Sequence, residues 1–351
     1  MSLPVDSTIR VRPCPKCPIC QGDGSQLYRD LKDRLFGAEG DWNLAQCMNP
    51  SCGVIWLNPM PLEEDLPKAY RTYYTHQNPT ILDGLVRRLY YRAKRGYLAS
   101  HYGYYAGEVR WVDRMMGYAF YLHPGRKAAL DSEVFFLRYN RGGKLLEVGC
   151  GSGVGLKLMA DRGWMTEGID FDPSAVENAR SKGLVVHLGA LESQNFAEES
   201  FDAIALSHVI EHVPNPQDLF QECFRILKKG GQLVIITPNS KSFGHSYFGP
   251  SWRGLEPPRH LHLFNQTAIE KMAKSCEYIE IASTTTICNA ANMFSASWAI
   301  IEMGSPRMEN LISRQIRIKA GAMQIWEWLL LKVKPGVGEE LVLFAKKPSL
   351  E

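Results

Sequence analysis

Between Leu145 and Gly153 the chain reads Leu-Leu-Glu-Val-Gly-Cys-Gly-Ser-Gly, an apolar run that stops in three glycines at alternate positions. Such a turn, straight after a strand and opening a helix, lets backbone N–H groups line a pocket that side chains would otherwise fill. The next apolar stretch ends in Gly168-Ile169-Asp170. That places a carboxylate at the end of a second strand about 20 residues downstream, where it can accept hydrogen bonds from both hydroxyls of a ribose.

Around this turn the pattern strand, tight turn, helix repeats. Strands are predicted at Lys144 to Val148, Met165 to Ile169, Leu184 to Leu188, Phe201 to Leu206 and Gln232 to Thr237. Helices are predicted at Val154 to Arg162, Ser174 to Ser181 and Pro216 to Leu227, with Lys229-Gly230-Gly231 as a turn before the fifth strand. Such alternation implies an α/β fold, an open parallel sheet with helices on both faces. A segment from about 284 to 335 reads as helical, and Glu340 to Lys346 as a closing strand. The expected organisation is a cysteine-rich lobe over 1–75, a helical connector or lid over 76–140, a nucleoside-binding domain over 141–283, and a helical insert with the closing strand over 284–351.

A dinucleotide-binding turn would carry its third glycine three residues after the second. Here the spacing is G-x-G-x-G with Glu147 just before it. This arrangement resembles the S-adenosylmethionine-binding signature of the class I methyltransferases. The resemblance extends through Asp170, Gly189-Ala190-Leu191-Glu192, Ser200-Phe201-Asp202-Ala203-Ile204, Ser207 to Val213 and Arg225 to Gly231, in the order that family expects. It implies a Rossmann-like, seven-stranded, mostly parallel sheet and S-adenosylmethionine as cofactor. It further implies that Gly149, Gly151 and Gly153 wrap the methionine portion and ribose, that Glu147 lies near the amino group, and that Asp170 holds the ribose. Phe171 would flank the adenine, and Ala190 with Leu191 would contact its edge. Ala190 stands where many relatives carry an acid, so adenine recognition there would rest on backbone and apolar contact.

Methyl transfer from a sulfonium is an in-line displacement, so the protein must align the acceptor and take its proton. Methylases of base amines usually carry Asn/Asp-Pro-Pro-aromatic after the fourth strand; Ser207-His208-Val209-Ile210 lacks it. Candidate bases lie at the carboxyl edge of the sheet, where open α/β sheets bind ligands. His208, Glu211 and His212 form one group; His260 and His262 form the other. The stretch from Ser251 to Phe264 resembles a loop of a bacterial methyltransferase subgroup associated with polysaccharide and natural-product assembly, with Pro257, Pro258, His260 and Phe264 at matching positions. A histidine accepts a hydroxyl proton near neutral pH, so His260 is the first candidate for general base and His208 the second. Trp252 and Arg253 are candidates for lining the acceptor pocket.

Five of the nine cysteines fall within the first 52 residues. Cys17-Pro18-Ile19-Cys20 and Cys47-Met48-Asn49-Pro50-Ser51-Cys52 form two knuckles whose four thiolates suit a tetrahedral structural zinc site, with Cys14 as a competing ligand. Cys17 and Cys20 are preferred because Cys20-Gln21-Gly22 and Leu57-Asn58-Pro59-Met60-Pro61 resemble the amino-terminal zinc lobe of the same subgroup. The odd cysteine total argues against an oxidised extracellular framework and suggests a reducing cytoplasm.

Hydrophobic residues make up 45% and charged residues 22%, which excludes wholesale disorder, and no apolar run is long enough to span a bilayer. A net charge of +3 is too mild to require nucleic acid, yet the average hides a basic, tyrosine-rich zone from Arg87 to Tyr121. That zone reads as a solvated helical lid, as a binder of a phosphorylated or nucleotide-linked glycan acceptor, or as an RNA surface. Ile316 to Val333, with Trp326 and Trp328, reads as a packed helix or homodimer face, with peripheral membrane contact as a further reading. Together these features point to O-methylation of a small molecule, sugar or glycan precursor. A zinc-containing RNA methyltransferase and a non-catalytic cofactor-binding regulator are the alternatives.

Overall fold

The computed structural model describes residues 8–70, 84–105, 107–304 and 313–349. Positions 76–83 of the expected connector and 305–312 of the expected helical insert therefore lie outside the described residues. The strands are β1 (Val11–Arg12), β2 (Gly24–Leu31), β3 (Trp42–Cys47), β4 (Ile55–Leu57), β5 (Met60–Pro61), β6 (Lys144–Val148), β7 (Met165–Asp170), β8 (Val185–Leu188), β9 (Phe201–Ser207), β10 (Leu227–Pro238), β11 (His262–Leu263), β12 (Ile279–Thr286) and β13 (Glu340–Lys346). The helices are α1 (Gly84–Tyr102), α2 (Trp111–Gly117), α3 (Pro124–Glu133), α4 (Val154–Ala160), α5 (Pro173–Ser181), α6 (Pro216–Ile226), α7 (Phe243–Phe248), α8 (Gln266–Ser275), α9 (Ala290–Met303) and α10 (Arg314–Leu330).

A seven-stranded, mostly parallel sheet runs in the order β12-β13-β10-β9-β6-β7-β8. Leu145 and Leu146 of β6 are fully buried, as expected of a central strand covered on both faces. β6 pairs in parallel with β7 and β9, with Val148 opposite Ile169 on one side and Leu206 on the other. Helix starts follow local chemistry. Asp172 caps α5 by accepting from the Ser174 N–H at 2.9 Å, with Pro173 in the first turn, and Asn265 caps α8 by accepting from the Ala268 N–H at 2.9 Å.

Two expectations are corrected. Lys229 to Gly231 is not a turn but part of β10, because the Gly230 N–H donates to the Lys347 carbonyl and the Lys347 N–H to Gly231. Ile279–Thr286 is a strand, so the helical segment begins at Ala290 rather than near 284. The closing strand lies where it was expected, at Glu340–Lys346.

Contacts group the chain into two units. One comprises 1–74, 208–221 and 235–343. It holds a four-stranded sheet, β11-β4-β3-β2, in which Leu263 pairs with Ile55 and His262 with Trp56. The other comprises 75–207, 222–234 and 344–351. In it α1 and α2 cross so closely that a Cβ on Gly96 would run into the backbone of Asp113, and one on Gly117 into that of Tyr97.

Candidate active site

In the second unit the glycine loop folds back over the end of β7. The N–H groups of Gly149 and Cys150 both donate to the Ile169 carbonyl, at 2.8 and 3.0 Å. Gly151 and Gly153 adopt φ of +52° and +75°, which side chains disfavour. A Cβ on Gly153 would strike Leu184 and Ala179, whereas one on Gly151 would meet nothing within 4 Å. The Gly151 backbone thus edges open space. Its N–H donates to Asp170 at 2.7 Å, and the Asp172 N–H donates to the other Asp170 oxygen at 2.9 Å. Asp170 is buried, which raises its pKa against these donors. Phe171 and Ala190 are exposed, and Leu191 is buried.

Glu147 lies beneath the loop. Burial pushes its pKa up to about 8, and its Oε2 has no hydrogen-bond partner among the described residues. A buried carboxyl oxygen left without a partner costs about 1–3 kcal/mol, so its retention beside a cradle of positive-φ glycines suits a cationic ligand group.

In the first unit, His208 follows the last residue of β9 and has φ of +56°. Its ring is 42% exposed, with Nδ1 3.3 Å from Glu211 and Nε2 3.3 Å from Glu340, both buried. Burial pulls the pKa of His208 down, but these two carboxylates outweigh it and raise it to about 10, so the ring is charged at neutral pH. Glu211 also accepts from the Thr237 hydroxyl at 2.9 Å.

His260 is buried, and its Nδ1 lies 2.7 Å from the Gly254 carbonyl. Burial lowers its pKa to about 4, so the ring is neutral, with Nδ1–H donating to the Gly254 carbonyl and an unprotonated Nε2 3.7 Å from Glu256. His212 places Nδ1 3.0 Å from the Arg259 carbonyl and 2.9 Å from the Tyr70 hydroxyl. Glu211, His212 and His260 each bring a ligand-capable atom within 4.8 Å of the others. A carboxylate and two imidazoles this close can share a proton or a small cation. His262 does not join this group: its Nε2 faces the Pro214 carbonyl at 3.4 Å, and it pairs within the four-stranded sheet.

Sequence reasoning missed three buried carboxyls of this unit. Glu340 opens β13, Glu339 directly precedes it, and Glu327 lies on α10. Glu339 accepts from the Trp252 indole at 2.7 Å and the Gly244 N–H at 2.6 Å, so Trp252 is a structural donor here. Burial and the charge of Glu339 push Glu327 up to about 10. Two adjacent acids at the head of the apolar run 341–345 were the available signal.

The four sulfurs of Cys17, Cys20, Cys47 and Cys52 come within 4.8 Å of one another. Cys14 stands apart, its thiol 3.6 Å from the Lys16 carbonyl. Hydrogen bonding from the Cys52 thiol, together with the backbone N–H groups of Cys20 and Ile19, lowers Cys17 to about 5 against burial, while Cys52 is raised by the same bond. The set thus favours the thiolate at Cys17, the form of cysteine that binds metal.

A protein-family profile described as a methyltransferase domain matches residues 121–278. The ubiquinone biosynthesis O-methyltransferase of Pseudomonas fluorescens (strain SBW25) is 30% identical over 168 residues, which cover 45% of this chain and 71% of that protein. The enzyme of the same name from Pseudomonas aeruginosa (strain LESB58) is 31% identical over 134 residues, covering 36% of this chain and 58% of that one. Among solved structures, Haemonchus contortus phosphoethanolamine N-methyltransferase 2 in complex with S-adenosyl-L-methionine has a TM-score of 0.47 at 16% identity, covering 89% of this chain and 70% of that one.

Proposed function

The chain belongs to the class I S-adenosylmethionine-dependent methyltransferases, and from that premise we propose that it methylates a hydroxyl oxygen of a small-molecule acceptor. The observation that carries this reading is the charged His208, held by Glu211 and Glu340 at the residue after β9. The name of the Pseudomonas relatives, O-methyltransferase, supports oxygen as the methylated atom.

The cofactor residues fit their group: the unpartnered Glu147 oxygen suits an ammonium, and the open edge at Gly151 suits a chain lying against backbone. Gly149, Gly151 and Gly153 would hold the methionine portion, Asp170 the ribose, and Phe171, Ala190 and Leu191 the adenine. Bound there, S-adenosylmethionine supplies a methyl group made electrophilic by its sulfonium.

On the acceptor side, His208 is a positioning residue, because a ring already protonated cannot accept a proton. It keeps Glu211 ionised; burial alone would raise that carboxyl, but the His208 hydrogen bond holds it near 2. His260, neutral with its Nε2 unprotonated and 3.7 Å from Glu256, is the group assigned to take the acceptor proton. Cys17, Cys20, Cys47 and Cys52 would hold a structural zinc.

The test is labelled-methyl transfer to a panel of phenols, catechols, aliphatic alcohols and matched amines. Transfer confined to hydroxyl acceptors, with His260→Ala lowering turnover about a hundredfold at unchanged cofactor affinity, is the expected result. Transfer to the amines alone, or an undiminished rate in the variant, defeats the oxygen reading or the base respectively.

A further inference from the structure

The second unit carries a surface that the methyl-transfer reading leaves unused. Residues 84–89 at the start of α1 are all exposed, among them Leu85, Val86 and Leu89, Leu85 being 69% exposed. Trp111 and Met115 of α2 are exposed as well, and Leu122 is 89% exposed. Most monomeric soluble proteins keep apolar side chains of this size scattered singly, and a cluster marks an interaction surface.

α2 crosses α1 at Gly96, and ring contacts tie α1 to the turn that ends at Leu122. Tyr90, beside Leu89 on α1, meets Phe120 edge-on at 5.8 Å between ring centroids. Phe120 precedes Tyr121 and Leu122, and Tyr121 stacks with Tyr118 at 5.9 Å. Arg126 lies over the Tyr90 ring and Arg87 over Tyr91, at 5.8 and 5.7 Å.

The charge of the surface is as distinctive as its apolarity. From 84 to 127 there are nine lysines and arginines against Glu108 and Asp113, an excess of +7, whereas the whole chain carries +3. Arg92, Lys94, Arg95 and Lys127 are paired with Asp113, Glu133, Glu108 and Asp131. Arg87, Arg88, Arg110 and Arg126 form no ion pair among the described residues.

We propose that α1, α2 and the turn ending at Leu122 form a docking surface for an anionic lipid bilayer, with Leu85, Val86, Leu89, Trp111, Met115 and Leu122 entering the headgroup region and the four unpaired arginines meeting lipid phosphates. The proposal does not depend on which atom is methylated. Each chemical feature argues for lipid over the other anionic or apolar partners. A second copy would set four unpaired arginines against four. A nucleic acid uses cations and aromatic rings but has no place for exposed leucine, valine and methionine. Interfacial peptides combine these ingredients: aliphatic and tryptophan side chains on one face, with arginines that reach phosphate while their stems lie against the acyl boundary.

The experiment is flotation of the full chain with extruded vesicles, either phosphatidylcholine alone or phosphatidylcholine with phosphatidylglycerol, at low and high salt. The protein should float with the phosphatidylglycerol vesicles at low salt. Arg87→Glu with Arg88→Glu should cut the bound fraction about tenfold or more, and so should Leu85→Ser, Leu89→Ser and Leu122→Ser together. Both variants change only exposed side chains, and thermal midpoints within error of wild type establish that they fold. Absence of flotation at low salt, or flotation unaffected by both variants, overturns the proposal. It is equally overturned if light scattering shows a dimer that the serine variant dissociates, or if single-stranded RNA is retained through the arginines while vesicles are not.

Discussion

Glu211 lies 3.3 Å from His208, three residues earlier on a turn whose first residue sits in the left-handed region. Histidine tolerates that conformation better than most side chains, yet it still costs about 1 kcal/mol or more and persists where the surroundings dictate it. Here the ion pair and the second one with Glu340 do so. Because the folded pKa of His208 is raised from 6.5 to about 10, its stabilising contribution is complete below about pH 6.5 and is lost as pH rises through about 10. The thermal midpoint of wild type should therefore converge on that of His208→Gln as pH climbs from 7 to about 10. A constant gap across that range would mean that the pair does not titrate. The same substitution should lower kcat at least tenfold, with little change in cofactor affinity.

Glu147 offers a direct reading of cofactor placement. Its pKa is raised from 4.5 to about 8 by burial, so the native state binds more protons than the unfolded chain between those values and loses stability as pH rises through them. An ammonium placed on the unpartnered oxygen favours the ionised form. Calorimetric titration of S-adenosylmethionine at pH 7 in buffers of different ionisation enthalpy should show proton release with wild type and none with Glu147→Gln. Identical proton release by both proteins would remove Glu147 from the ammonium site.

The cysteine set predicts about one zinc per chain by elemental analysis. Cys47→Ser with Cys52→Ser should release it and lower the thermal midpoint. A metal-free protein with an unchanged midpoint would refute the site.

Arg259 tests the packing of the first unit. It is fully buried, bidentate to Asp33 at 2.8 and 2.9 Å, bonded to Glu256 at 2.9 Å, and set 4.4 Å from the Phe36 ring centroid. Arg259→Met strands Asp33 in a dry interior and should cost about 3–5 kcal/mol in denaturant unfolding, whereas Asp33→Asn leaves Arg259 its bond to Glu256 and should cost less. The double variant should recover part of the Arg259→Met loss, because Asp33 no longer carries an unpaired charge. Costs below about 1 kcal/mol for both single variants would show that the pair is incidental.

What could be read in the chain was what local chemistry dictates. The apolar strand, the positive-φ glycines and the acid ending β7 are neighbours in sequence, so Gly149, Gly151, Gly153 and Asp170 were legible. Two knuckles with short internal spacing announced four cysteines whose sulfurs converge. What escaped was non-local. Asp33 and Arg259 are separated by 226 positions, and nothing near either announces the other. β12 escaped because it begins with exposed residues and runs Ser-Thr-Thr-Thr, with little apolar alternation to mark it. His208 and His260 resembled each other as candidate bases; only their surroundings separate them, a half-exposed ring with a carboxylate on each nitrogen in one case and a buried ring with Nδ1 on a carbonyl in the other.

The segment 253–265 is stitched to the first seventy residues at successive points: Arg259 to Asp33, His212 across the Arg259 carbonyl to Tyr70, His262 and Leu263 into β4, and Asn265 to the Cys52 carbonyl at 2.8 Å. The cysteine-rich lobe is therefore not a cassette. A chimaera that exchanged residues 1–75 with a relative would leave a guanidinium without its acid and an edge strand without its neighbour. Transplanting it requires moving 208–221 and 253–265 with it, so these three stretches are constrained to change together.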